Sequence, residues 1–157
     1  MHLKILGGNY KIKMEDKRFG LGVFVCVFNK DFSKIMLIKR NKKKRKRWGS
    51  DWGNVGGIVE FGELLIDACI REAREEIGVN LNPEKLKLIE IKETPDFLPE
   101  IHALHFVYAA SVDENTEIII NHESEEYRWF DMKNLPDRMI DSKAEILGWW
   151  KRAKNGL

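Results

Sequence analysis

Residues 57 to 79 read Gly-Ile-Val-Glu-Phe-Gly-Glu-Leu-Leu-Ile-Asp-Ala-Cys-Ile-Arg-Glu-Ala-Arg-Glu-Glu-Ile-Gly-Val. The run from Glu63 to Ile77 has helical spacing, and Gly78 is a natural residue to close it. Ile66, Ile70, Ala73 and Ile77 recur at i, i+4, i+7 and i+11, which predicts a core-facing stripe. On an ideal helix Glu75 and Glu76 lie about 60° behind and about 40° ahead of Glu72, so the three carboxylates share one narrow face. Like charges at these spacings repel, and they sit near the negative end of the helix dipole. A bound divalent cation removes that conflict. Oxygen-only ligands select hard ions, Mg²⁺ or Mn²⁺ first.

The spacing is Gly57, five residues, Glu63, seven residues, Arg71-Glu72, two residues, Glu75-Glu76, one residue, Gly78 and apolar Val79. It resembles the Nudix box without a gap or mismatch. Ala73 is small where that family more often has a larger aliphatic residue. A solvated acidic helix with incidental glycines is the competing reading, and it leaves the spacing unexplained. The resemblance implies a mixed α/β fold of the α+β class. This is a Nudix-like α/β/α sandwich with a mixed sheet, the box forming a loop–helix–loop. It also implies a hydrolase acting on phosphorus-containing acid anhydrides, with a divalent metal as cofactor. By the same resemblance Glu75 and Glu76 match the principal metal-binding pair. Glu72 matches a further ligand that can also act as base. Gly57 matches a glycine whose carbonyl reaches the metal, and Arg71 an arginine that orients the glutamates. Glu63 falls about opposite Glu72 on an ideal helix and reads as a brace for the loop.

The chain has 157 residues, enough for one domain with a sizeable core, and we read residues 1–157 as a single domain. No apolar run approaches the length of a membrane span. The first residues, Met-His-Leu-Lys-Ile-Leu-Gly-Gly, lack the apolar stretch of a signal peptide. Cys26 and Cys69 are not spaced like metal ligands and read as buried free thiols, in keeping with a cytoplasmic protein. The net charge of +2 hides an asymmetry, because residues 39 to 47 carry eight of the 27 basic residues. The remaining 19 face 25 acidic residues, a balance of −6. Positive potential is therefore concentrated beside Trp48 and Trp52. It reads either as a solvated loop or as an attractor of polyphosphate or RNA, through Lys42 to Arg47.

Along the chain, residues 1 to 18 read as an arm or edge strand. Leu21 to Phe28 and Lys34 to Lys39 form a hairpin across the turn residues Asn29-Lys30-Asp31. The basic segment reads as a loop, and Trp52 to Val59 as a short strand. Strands are expected at Leu86–Glu93, Ile101–Val112, Glu117–Ile120 and Tyr127–Phe130, with residues 95 to 99 as a loop. Asp141 to Lys154 reads as a terminal helix capped near Ser142. Strands outnumber helices, which fits a layered α+β domain.

A second acidic cluster, Glu123, Glu125 and Glu126, precedes Trp129-Phe130. Many Nudix enzymes place one more metal-binding or base glutamate before such a tryptophan, and Glu123 is the candidate. Arg40, Trp52, Phe61 and Glu63 are candidates for substrate binding, with Phe24 and Phe97 as further stacking residues. His105 reads as a packed core histidine. The resemblance favours a metal-dependent pyrophosphohydrolase of nucleoside di- or triphosphates. ADP-ribose or another nucleotide sugar stands second, since Pro95 lies 16 residues past Val79 as in one Nudix subgroup. A module that binds nucleotides or RNA, or acts on an RNA 5′ end, is the alternative of another class. The partner expected is a small nucleotide, with no membrane, and the chain a monomer or homodimer.

Overall fold

The computed structural model describes residues 17–98 and 100–156. The arm expected at residues 1 to 18 lies almost wholly outside them. Seven strands and three α-helices follow in the order β1 (Arg18–Phe28), β2 (Lys34–Arg40), α1 (Lys42–Trp48), β3 (Trp52–Gly53), β4 (Val55–Ile58), α2 (Leu65–Ile77), β5 (Lys87–Leu98), β6 (Ile101–Ser111), β7 (Ser124–Asp131) and α3 (Lys143–Lys154). The strands make one mixed sheet, so the expected class holds. Strand β1 runs parallel to β6 along its whole length, from Arg18 opposite Ile101 to Phe28 opposite Ser111. Its other edge is shared. Gly22 to Val25 pair with β4, whereas Val27 and Phe28 pair with β2. The sheet therefore divides along β1, and β2 carries β3 and β7 away on its own side.

Alternation of side chains feeds two cores. Val23, Val25 and Val27 of β1 join Met36, Tyr108, Cys69, Ala73 and Ile77 under α2. Cys26 and Phe28 join Ile35, Leu37, Val107, Ala109, Ile146 and Trp149 under α3. A strand buried on both faces must be apolar throughout, which is why Val23 to Phe28 lack alternation. Both cysteines are free and buried. No helix among the described residues is long and apolar enough to cross a membrane.

Four local expectations are corrected. The basic segment is a helix and not a loop. Asn41 Oδ1 accepts from Lys44 N at 3.0 Å, and Glu125 Oε1 accepts the Lys42 N–H at 3.0 Å, so two free N–H groups of α1 are satisfied from outside the helix. Segment 117–120 is not a strand. It crosses the end of α2, where Ile119 N donates to Ile77 O at 3.0 Å. Residues 95 to 98 continue β5 and do not form a loop; Pro99 lies outside the described residues. Pro95 is tolerated because β5 is a sheet edge whose register shifts between Thr94 and Leu98. Finally, Ile66 is exposed, while Cys69, Glu72, Ala73, Glu76 and Ile77 are buried. The buried arc of α2 is centred between Cys69 and Glu76, and Ile66 lies at its margin.

Helix α3 starts at a capping box, in which Ser142 Oγ accepts from Glu145 N and Glu145 Oε2 accepts from Ser142 N. Ser142→Ala should lower unfolding free energy by about 1 kcal/mol without changing the far-ultraviolet spectrum. A urea titration checks it, and an unchanged midpoint would mean that α3 is set by Trp149 packing alone.

Candidate active site

The site is built where α2 lays its acidic edge against β4. Gly57 makes that approach feasible. A Cβ at Gly57 would stand 2.3 Å from Glu72 Oε1 and 2.7 Å from Oε2, so any side chain there would expel the carboxylate. Gly56 N donates to Glu76 Oε2 at 2.8 Å. Glu72 and Glu76 are 9% and 6% exposed.

Arg71 is the centre of the cluster. Its Nε donates to Glu63 Oε1 at 2.7 Å and its Nη2 to Glu63 Oε2 at 3.0 Å. Nη1 reaches Glu72 Oε1 at 2.7 Å, and Nη2 also donates to the Ile58 carbonyl at 3.0 Å. Glu63 precedes the helix, so helical geometry does not place it opposite Glu72. Both its oxygens are engaged, Oε2 also by Glu60 N at 2.9 Å. Glu63 lines the cleft and braces Arg71 and the loop through both of its oxygens. The Arg71 guanidinium holds its carboxyl down at about 2.

The three box glutamates do not stand alike. Glu72 and Glu76 turn inward, whereas the Glu75 side chain is 57% exposed and only grazes Arg71 at 3.5 Å. Among the described residues no three Asp, Glu, His or Cys side chains converge closely enough to hold a metal ion. Burial pushes the Glu76 carboxyl up to about 7, helped by the charge of Glu72 and opposed by the Gly56 N–H and by Lys44. Burial likewise raises Glu72, against the pull of Arg71. Glu123 stands close enough for its charge to raise both. It is itself ion-paired with Lys44, which holds it below the usual carboxylate range.

These groups suit a divalent ion. Arg71 takes Oε1 of Glu72 and Gly56 takes Oε2 of Glu76, leaving one oxygen of each without a partner among the described residues. Two buried carboxylates of raised pKa form an all-oxygen donor set short of positive charge.

A cleft of about 940 Å³ opens beside this cluster. Gly56, Gly57, Glu63 and Phe61 line it together with Arg40 and Lys44, and Phe24, His105, Phe97 and Trp48 add an aromatic wall in which Phe24 pairs across from Gly56. Phe61 is fully exposed at its mouth. The Arg40 guanidinium is half-buried and has no carboxylate partner among the described residues; burial lowers its pKa. Trp52 is corrected as a substrate candidate. It is buried in the α3-side core, edge-on to Phe130 at 4.8 Å, and is not part of the cleft wall. Trp48, four residues earlier, is the tryptophan that faces the cleft. His105 was expected in the core, and it is buried, but it also lines the cleft. The signal that could have found it is its place on an apolar strand opposite Gly22, a position that leaves room for a ring.

With fold and site in view, the comparisons decide the class. The chain belongs to the Nudix hydrolase family, for the NUDIX domain family model matches residues 18–150. It is 33% identical over 130 residues to the ADP-ribose pyrophosphatase of Methanocaldococcus jannaschii, covering 83% of this chain and 72% of that one. It is 28% identical over 131 residues to the dihydroneopterin triphosphate diphosphatase of Escherichia coli K12, covering 75% and 83%. A crystal structure of a MutT/nudix family protein from Enterococcus faecalis superposes with a TM-score of 0.70. The match covers 88% of this chain and 63% of that one at 22% identity, and speaks for the fold. Nudix enzymes are generally dependent on a divalent metal.

A carboxyl raised by burial makes its ionised form costly to the folded state. Glu76 therefore subtracts stability above its unfolded value near 4.3, and the full cost is present above about 7. In EDTA at pH 8, Glu76→Gln should melt above the wild type, and the gap should close as the pH falls toward 5. Melting curves with no gap at pH 8 would overturn the burial assignment. Millimolar Mg²⁺ or Mn²⁺ should raise the wild-type melting temperature at pH 8 and do much less for the variant.

Proposed function

We propose that this protein is a metal-dependent pyrophosphohydrolase of nucleotides, cleaving the diphosphate linkage of a nucleoside di- or triphosphate by water attack on phosphorus. The observation that carries this reading is the buried Glu72–Glu76 pair against Gly57, beside a cleft lined by Gly57, aromatic rings and Arg40, which has no carboxylate partner among the described residues. Glu72 and Glu76 would hold the ion, with Glu75 and the Gly57 carbonyl beside them. When bound, a divalent ion neutralises the diphosphate oxygens and supplies an activated water.

The chain's own residues do the rest. Arg71 fixes Glu72 through one oxygen and is itself fixed by Glu63 and Ile58. Glu72, whose basicity burial has raised, is better suited to take the proton of the attacking water than Glu123, whose basicity Lys44 depresses. Glu123 remains a further ligand or base candidate through its closeness to both. Arg40 supplies a fixed positive charge to a phosphate at the cleft wall.

ADP-ribose is the second substrate reading. Its support is the 33% identity to a protein named ADP-ribose pyrophosphatase. A panel of nucleoside triphosphates, nucleoside diphosphates and ADP-ribose, assayed with Mg²⁺ and Mn²⁺ for phosphate and pyrophosphate release, separates the two. Turnover of none of them would sink both. On the best substrate, Glu72→Gln and Glu76→Gln should each lower kcat at least about a hundredfold with the fold intact. Near-wild-type turnover by either folded variant would remove it from the site.

The outer cations of α1 bear on substrate capture. Lys44 and Arg45 are used in ion pairs with Glu123 and Glu125, whereas Lys42, Lys43 and Lys46 are exposed. Replacing these three by Ser should raise KM more than it lowers kcat and should flatten the salt dependence of kcat/KM. Unchanged KM and salt slope would leave them a solvated face. Salt-dependent RNA binding lost in the same variant would favour an RNA 5′ end as substrate.

A further inference from the structure

The aromatic wall of the cleft is assigned no role in the diphosphate chemistry above, yet it is built from four separate elements. Phe24 of β1 stacks on His105 of β6, with ring centres 4.7 Å apart and planes 16° apart. Phe97 of β5 meets His105 edge-on at 5.1 Å. Trp48, the last residue of α1, faces Phe97 at 5.6 Å and 24°. The Arg47 guanidinium lies over the Trp48 ring at 4.9 Å, and Arg47 also lines the cleft. Phe97 lies in the register shift of β5, an irregularity of the kind that re-aims a side chain beside a site. Trp48 and Phe97 remain 36% and 39% exposed.

Two polar atoms in this wall are short of partners. His105 Nδ1 and Ser50 Oγ are shut from solvent and have no hydrogen-bond partner among the described residues, in side chains 8% and 5% exposed. The Cδ2–Nε2 edge of the His105 ring lies against Gly22, so Nδ1 is on the opposite edge. Buried polar atoms without partners are rare in folded proteins and call for a ligand or an ordered water.

We propose that Trp48, Phe97 and His105 form a slot for the planar heteroaromatic ring of the substrate, with His105 Nδ1 and Ser50 Oγ reading the ring's hydrogen-bonding edge. This rests on the reading of the cleft as a nucleotide pyrophosphohydrolase site, and it names the residues that choose among nucleotides. Ring entry requires Phe97 and Trp48 to part. A ring sandwiched between two others needs about 7 Å between the outer centres, more than the pair now has. Phe97 also packs edge-on against His105, so the same displacement brings an entering ring beside His105.

The test separates ring binding from catalysis. Without metal, calorimetry measures binding of the four common nucleoside monophosphates and of ribose 5-phosphate, which lacks the ring. At least one nucleotide should bind tenfold or more tighter than ribose 5-phosphate, since stacking on an aromatic side chain is worth about 1–3 kcal/mol, or roughly five- to 150-fold. Phe97→Ala should lose about tenfold and Phe97→Tyr should keep the affinity. His105→Phe keeps a ring and removes the nitrogen, so it should level the preference among the four bases. His105→Asn, which carries an amide atom near the place of Nδ1, should restore part of that preference. Ribose 5-phosphate binding as tightly as every nucleotide, or no nucleotide binding below about 1 mM, overturns the slot. Wild-type nucleotide binding by folded Phe97→Ala overturns it too. Binding that follows the slot in a protein that hydrolyses no nucleotide would instead sink the hydrolase reading and leave the slot standing. Nucleotide hydrolysis with no ring preference would do the reverse.

Discussion

Arg71 holds together groups that would otherwise repel or drift. One guanidinium ties Glu63 in the loop, Glu72 on the helix and the carbonyl of Ile58 on β4. Without it, Glu72 would be a buried charge beside Glu76 with no cation in contact, an arrangement that ordinarily expels one carboxylate or protonates it. The fork geometry matters as much as the charge. Two parallel bonds to Glu63 orient the plane from which Nη1 reaches Glu72, and an ammonium could not make the same three connections. The box spacing becomes intelligible as a mechanical requirement. Seven residues lie between Glu63 and Arg71, so that the loop before α2 folds back along its first two turns.

The sheet then decides where this cluster looks. Because β1 gives one edge to β4 and then to β2, the two neighbours diverge, and the cleft lies over the β4 side of that division. The parallel partner β6 runs uninterrupted along the opposite edge and provides the rigid wall from which His105 projects. Loops and the short helix α1 close the remaining sides. Strands thus carry the carboxylate anchor, the histidine and Phe97, while the short helix α1 and the loop before α2 carry Trp48 and Phe61, a division common to binding sites built on stable scaffolds.

What could be read in advance follows the range of the forces. The box helix, the hairpin, the start of β5, the strands β6 and β7 and the capped helix α3 are set by local periodicity and caps, and their places were legible within a few residues, whereas the end of β5 was not. Helix α1 was not, because Lys42 to Trp48 have no apolar face. It is held by Asn41 at its start and by Glu123 and Glu125, some 80 residues away. Segment 117–120 has strand-like residues but lies where the end of α2 needs a donor. Trp48 and Trp52 look alike in composition, and only the sheet decides that Trp52 enters the core and Trp48 the cleft. In α2 the isoleucine stripe pointed slightly the wrong way. Periodicity assumes that carboxylates face water, and here Gly57 and Arg71 take Glu72 inside and the Gly56 N–H takes Glu76.

The same inward turn explains how a basic helix can stand beside an acidic site without cancelling it. Ion pairs at short range are strong and local, whereas exposed charges act over a Debye length of about 8 Å. Lys44 and Arg45 spend their charge on Glu123, Glu125 and Asp51, which fixes α1 against β7 and lowers the basicity of Glu123. That leaves Lys42, Lys43 and Lys46 outward, where they contribute a diffuse field, whereas Arg47 lies over Trp48 and lines the cleft. Arg40 differs from both groups, since it is half-buried, faces the cleft and has no carboxylate partner among the described residues. An anion arriving in the cleft would therefore meet attraction first from the outer cations and then from one fixed guanidinium. The inner carboxylates would repel it unless a metal ion stood between them. The segment from residue 39 to 47 is thus three kinds of charge in one short stretch, sorted by what each side chain can reach.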